Sequence, residues 1–308
     1  MVPERSRRDG VLRLRSATES IMQPLLKPPW LKKRLDVAAL TGMQARLRGL
    51  TLHSVCEEAR CPNISECFSK GVATVMIMGD TCTRACKFCA VATGRPKPLD
   101  PNEPENVAKW AGDAGLKHIV ITSVDRDDLP DLGATHFGKT VQTMKEIHPL
   151  MIVEVLTPDF QGKGELIDKV CQAEPKIYNH NLETVRRLTP GVRSAARYDR
   201  SLQVIKWVKK NYPNQLTKSG LMLGLGETEE EILESMQDLL NHGCDMLTLG
   251  QYLQPTLKHL PVKEYIPLEK FEGYHKRGLQ MGFKAVFAGP FVRSSYLADE
   301  LYEQTFSV

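Results

Sequence analysis

The chain has 308 residues, 42% of them hydrophobic and 25% charged, and a net charge of +4. That size and balance predict an ordered globular protein that needs no disulfide or metal staple to close its core, and no uncharged apolar run approaches a bilayer span. Charge is uneven: residues 1–35 carry nine Lys/Arg against three Asp/Glu, a balance of +6 that leaves −2 for the remainder, so neither nucleic-acid binding nor a membrane role has support in the body of the chain.

In chain order, residues 1–35 read as a basic N-terminal arm ending in KPPWLKKRL, where Pro28 and Pro29 stop a helix and Trp30 offers an apolar anchor. The arm lacks the apolar stretch of a secretory signal; a transit peptide and a frayed surface arm remain alternatives. Residues 36–72 form an extension that holds Cys56, Cys61 and Cys67. From residue 73 apolar, β-rich runs alternate with segments of helical spacing. The strands expected are 73–79, 118–124, 150–157, 176–181, 219–226 and 246–253; the helices are 105–115, 136–148, 164–174, 200–212, 228–243 and 267–282. Continuous apolar strands separated by helices mean a parallel sheet covered by helices, and six units are too few for an eight-fold barrel. The fold class is therefore α/β, a partial (β/α)6 barrel over residues 73–283, with a segment 284–308 in which the apolar run KAVFAGPF leads into a C-terminal tail. Ligands of such folds gather in the loops after the strands.

Six of the eight cysteines fall between Cys56 and Cys89. Cys82, Cys86 and Cys89 form C-x3-C-x2-C in the loop after the first strand. Three thiolates on so short a loop can hold three irons of a cubane and leave the fourth open, whereas a structural zinc site wants four ligands. Cys56, Cys61 and Cys67, spaced C-x4-C-x5-C, suggest a second cluster, again one ligand short. In the C-terminal RSSY (Arg293–Tyr296), a serine oxygen would be a harder and weaker iron ligand than thiolate. Cys171 and Cys244 read as core residues. His180 has two readings, ligand contact or local hydrogen bonding, and GLGE (Gly224–Glu227) is weak as a phosphate loop and suits a backbone edge beside adenine.

The C-x3-C-x2-C triplet, with Phe88 before its last cysteine and a (β/α)6 pattern behind it, resembles the radical S-adenosylmethionine superfamily. Both triplets with RSSY, and the segments EEARCPNISECF, TSVDRDDLPD, VEVLTPDFQG, NHNLETV and GQYLQPTLKHLPV, resemble the lipoyl synthases within it, over roughly residues 35 to 300. Two departures are Leu132, where glycine is usual, and Leu297, where histidine is common.

The resemblance implies two 4Fe-4S clusters and S-adenosyl-L-methionine. Cys82, Cys86 and Cys89 would hold the cluster that binds the cofactor; Cys56, Cys61, Cys67 and Ser295 would hold an auxiliary cluster that is a sacrificial sulfur donor. The implied reaction inserts two sulfurs, at C6 and C8 of an octanoyl group on a lysine of a lipoyl carrier domain, with one S-adenosylmethionine spent per C–H bond. Carriers would be glycine cleavage H protein and 2-oxoacid dehydrogenase E2 subunits, and reduction would need a donor such as ferredoxin or flavodoxin. Cofactor contacts are expected from Phe88, Thr122 and Ser123, from Glu154 and Asn179 to the ribose hydroxyls, and from Arg197 to the methionine carboxylate. The charge run Asp125–Asp128 is either solvated or an ordered rim of the site. A cytoplasmic location is expected, organellar if the leader is a transit peptide. Competing readings are sulfur insertion into a free small molecule, an iron–sulfur electron carrier, and a zinc-stabilised binding module.

Overall fold

The computed structural model of the chain describes residues 26–32, 47, 49–58, 61, 63–69, 73–296, 298 and 302. Seven parallel strands form the body: β1 (Ala73–Ile77), β2 (His118–Ser123), β3 (Ile152–Leu156), β4 (Ile177–Asn179), β5 (Leu216–Leu223), β6 (Met246–Gln251) and β7 (Ala285–Gly289). They are paired in sequence order, and six helices alternate with them: α1 (Glu103–Asp113), α2 (Ala134–Ile147), α3 (Gly164–Cys171), α4 (Tyr198–Asn211), α5 (Glu229–Asn241) and α6 (Leu268–Met281). On the far edge of β1 the two-residue strand His53–Ser54 pairs antiparallel instead of β7, so the barrel stays open.

The expected partial (β/α)6 barrel is thus present. The run after residue 283 is more than a lead into a tail, however. Its Ala285–Gly289 segment pairs with β6 and makes a seventh parallel strand, because the sheet edge left by β6 offers a full ladder to an apolar partner. The fifth strand starts three residues earlier than expected, at Leu216, since Lys218 in its middle is a buried ion-pair partner and not a strand breaker.

Alternation along the strands sorts the side chains. Val75, Ile77, Ile119, Ile121, Val153, Val155 and Tyr178 face outward into one core under α1, α2 and α3. A second core joins β5 and β6 to α4, α5 and α6. Helix α5 is started by a reciprocal capping box, Thr228 with Glu231, and α6 ends at Gly282, whose φ of 114° is a left-handed stop. Cys171 and Cys244 are buried in these cores, as expected of packing residues. Trp30 is exposed, and Leu31 beside it is the anchor; the 3-10 turn Pro29–Leu31 turns the smaller side chain inward. The rest of the basic leader and Leu297 lie outside the described residues.

Leu132, the departure from the expected glycine, has φ 54°. The left-handed backbone explains why glycine suits the position; leucine bears a cost of about 1–2 kcal/mol there, offset by burial of its side chain.

Candidate active site

A cavity of about 500 Å³ opens at the carboxyl ends of the strands. Cys82, Cys86 and Cys89 line it from the loop after β1, Cys56 and Cys61 from the N-terminal extension, and Ser294 and Ser295 from the segment after β7. Cys67 is buried behind them on the helix Ile64–Ser69. Triplets separated in sequence therefore meet around one space.

Backbone amides surround the first triplet. The Arg84 and Asp125 N–H groups donate to Cys82 Sγ at 3.4 and 3.3 Å, and amides of Ser194 and Val91 reach the sulfurs of Cys86 and Cys89. Donors aimed at each sulfur fit thiolates that carry charge to iron. Among the described residues no three His, Cys, Asp or Glu side chains converge on a single ion position. Without a metal cation the thiols are held protonated. Burial, with Asp125 adding to it, pushes Cys82 up to about 11, and burial pushes Cys89 up to about 12. Cys56 is raised well above the usual thiol range by its contact with Cys61, by burial and by Cys67. A bound metal reverses this balance by displacing the protons.

The Asp125–Asp128 run is an ordered rim. Arg84, inside the C-x3-C loop, pairs with Asp125 at 3.2 Å, Asp127 at 2.7 Å and Asp159 at 2.9 Å. Burial would raise Asp159, but Arg84 holds it down at about 2. Asp125 is pushed up to about 6 by burial despite Arg84. Arg126 turns away to Asp128 at 2.8 Å. One guanidinium thus fixes the loop of the first triplet to the ends of β2 and β3.

Phe88, Thr122 and Ser123 line the cavity as expected. Thr122 donates to the Leu156 carbonyl at 2.9 Å, and Ser123 Oγ is buried with no protein partner, a group free for a ligand. Glu154 and Asn179 are not at the cavity. Both are fully buried one layer lower in the barrel, where Lys218 Nζ donates to the Glu154 carboxylate at 2.9 and 3.1 Å and Asn179 Nδ2 donates to it at 3.0 Å. The inward face of β3 carries Glu154 two residues below the strand end, and Leu156 takes the cavity position instead. Arg197 is exposed at the start of α4; Arg193, four residues earlier, lines the cavity and donates to Ser201 Oγ at 2.9 Å. The expected ribose and carboxylate contacts of Glu154, Asn179 and Arg197 are therefore corrected.

His180 lines the cavity and is also held by local hydrogen bonds. Its Nδ1 meets the Thr157 carbonyl at 2.9 Å and its Nε2 meets Ser201 Oγ at 3.0 Å, while burial, helped by Arg193, drives it down to about 4. In GLGE the Glu227 carboxylate accepts from the Gly224 and Leu225 amides, so the loop is closed on itself. Sequence reasoning missed Asn181, whose Nδ2 donates to Glu183 Oε1 and Ser294 Oγ, both at 3.0 Å. It also missed Arg84 and Asp159 as site residues, although both stand in segments that carried the resemblance.

The family described as the radical SAM superfamily matches residues 76–239. A lipoyl synthase of Thermus thermophilus is 56% identical over 279 residues, 90% of this chain and 86% of its own. One of Parabacteroides distasonis is 52% identical over 90% of this chain and 99% of its own. Among solved structures, methylornithine synthase superposes with a TM-score of 0.54 at 16% identity, over 68% of this chain and 62% of its own. The [FeFe]-hydrogenase maturase HydG superposes with 0.54 at 14%, over 69% of this chain and 50% of its own. At those identities the structural likeness shows the fold alone.

Proposed function

Because the chain belongs to the lipoyl synthase family of the radical SAM superfamily, we propose that it inserts two sulfur atoms, at C6 and C8, into an octanoyl group carried on a lysine of a lipoyl carrier domain. It is a sulfurtransferase that works with two 4Fe-4S clusters and S-adenosylmethionine. The observation that carries the site assignment is the single cavity shared by Cys56, Cys61, Cys82, Cys86, Cys89 and Ser295.

When bound, these groups supply a deoxyadenosyl radical able to take hydrogen from an unactivated C–H bond, and the sulfur to be inserted. Cys82, Cys86 and Cys89 would hold the first cluster. Cys56, Cys61, Cys67 and Ser295 would hold the second, Ser295 supplying a harder and weaker oxygen donor than the three thiols. Arg193 faces the cavity as the cation for a carboxylate, and Ser123 Oγ and Thr122 lie at the end of β2 where a cofactor amino group fits. Leu156, Leu221 and Met222 give the cavity an apolar wall suited to an acyl chain. Arg84 with Asp125, Asp127 and Asp159 keeps the loop of the first triplet from shifting relative to that wall.

The carriers fit as glycine cleavage H protein and E2 subunits, with a ferredoxin or flavodoxin as reductant and a cytoplasmic location. Among the described residues no helix is long and apolar enough to cross a membrane. In domain terms, residues 36–72 and the segment after β7 would bring the auxiliary ligands to a barrel that runs from β1 to β7, residues 73–289.

The test is anaerobic reconstitution with iron and sulfide, then incubation with an octanoyl-lysyl peptide, S-adenosylmethionine and reductant. Alanine at Cys82, Cys86 or Cys89 abolishes deoxyadenosine. Alanine at Cys56, Cys61 or Cys67 leaves cofactor cleavage and removes thiolated product. Thiolated product from any of the latter three variants defeats the assignment of roles.

A further inference from the structure

The loop after β6 reaches back to the first cysteine triplet. His259 Nε2 lies 2.9 Å from the carbonyl oxygen of Cys89, 170 residues away in sequence. Its Nδ1 lies 2.8 Å from Thr256 Oγ1, which also accepts the Lys258 N–H at 3.2 Å. A carbonyl only accepts, so Nε2 carries the ring proton; in the neutral ring Nδ1 then accepts, and the Thr256 hydroxyl donates to it. The chain of donors therefore runs in one direction, from the Lys258 amide through Thr256 and His259 to Cys89.

The Cys86–Cys89 stretch belongs to neither a helix nor a strand. Beyond its own turn it is tied through the backbone by the Lys87 N–H to the Val192 carbonyl and by the Leu260 N–H to the Lys87 carbonyl, at 2.9 and 3.2 Å. The second of these comes from the same loop as His259. That loop is itself braced, with Gln254 Nε2 donating to the His259 carbonyl and Tyr252 OH to the Leu260 carbonyl, both at 2.8 Å.

We infer that His259 is a positioning residue that pins the Cys89 end of the first triplet, with Thr256 setting the tautomer that lets it do so. The inference rests on Cys82, Cys86 and Cys89 being cluster ligands. It extends that reading by making retention of this cluster depend on the loop after β6.

The test is the rate at which the fully reconstituted protein releases iron to a chelator without oxygen. Release occurs in two phases, and the variant combining Cys82→Ala, Cys86→Ala and Cys89→Ala lacks the one that belongs to the first triplet. His259→Phe keeps the ring and removes the donor, and speeds that phase by about fivefold, the worth of one net hydrogen bond. His259→Gln, whose amide N–H replaces Nε2–H, returns it to within about twofold of wild type, and Thr256→Val falls between. The auxiliary phase is unchanged in all three. Wild-type release from His259→Phe, equal acceleration of both phases, or no rescue by glutamine overturns the role of His259 alone. Two phases persisting in the triple cysteine variant overturns the ligand assignment and this inference together.

Discussion

Asn181 Nδ2 donates to Ser294 Oγ at 3.0 Å, so the residue before Ser295 is tied to the loop after β4. The same segment is held on its other side by the extension: Asn63 Nδ2 donates to the Phe291 carbonyl at 2.6 Å, and Tyr296 OH donates to Glu66 at 3.0 Å. The segment Phe291–Tyr296 is thus a strap between the barrel and the helix that carries Cys67. Asn181→Ala removes one of its ties and lowers thiolated product by about fivefold, the worth of one hydrogen bond, while deoxyadenosine formation persists. Quantifying both products in one assay checks this.

Gly250 leaves room for that strap. A Cβ at this position would meet the Val292 carbonyl oxygen at 2.0 Å, backbone that cannot rotate aside. Gly250→Ala displaces Ser294 and Ser295 and costs about 1–3 kcal/mol of stability. Gly289→Ala meets only a Val292 side chain at 3.3 Å and is mild by comparison. Denaturation midpoints and iron content of the two variants distinguish them.

Arg193 and Arg197 separate by location. Arg193→Ala weakens S-adenosylmethionine binding by about tenfold, the loss of a charge-assisted contact, and Arg197→Ala leaves it unchanged. Equilibrium binding to the reconstituted protein reads the difference.

The buried layer of Glu154, Lys218 and Asn179 supports the barrel floor. Lys218→Met removes the ammonium partner of the buried Glu154 carboxylate, leaving it only the Asn179 amide at 3.0 Å and His118 at 3.6 Å, and costs about 3–5 kcal/mol; adding Glu154→Leu to it restores much of the loss. Cofactor affinity of the double variant stays at the wild-type value if no ribose contact involves Glu154. Urea unfolding and binding isotherms test both parts.

His180 makes stability depend on pH. Unfolded, the ring takes its proton near 6.5; folded, only near 4. The contribution is complete above pH 6.5 and is lost as pH falls toward 4, by up to about 3 kcal/mol. Asp125, raised to about 6, acts in the opposite sense, losing stability as pH rises through that value. The difference between wild type and His180→Asn in denaturant unfolding from pH 4 to 7 isolates the histidine: a slope in the wild type that the variant lacks.

Much of this was legible in the chain itself. Strand–helix alternation determined the parallel barrel, since period and apolar content are local properties that survive folding. Cysteine spacing marked Cys82, Cys86 and Cys89 as one candidate site, because three thiols on one short loop need no distant partner to be recognised. The depth of a strand residue was not legible: Glu154 and Leu156 share an inward face, and only packing against Lys218 shows that Glu154 lies below the cavity. The choice between Arg193 and Arg197 was equally hidden, because both sit in one irregular connection. The convergence of Cys56, Cys61 and Ser295 on the cavity of Cys82, Cys86 and Cys89 was decided by tertiary structure alone. It depends on the open barrel edge and on hydrogen bonds such as Asn181 to Ser294, which join residues more than a hundred positions apart and leave no periodic trace in the sequence.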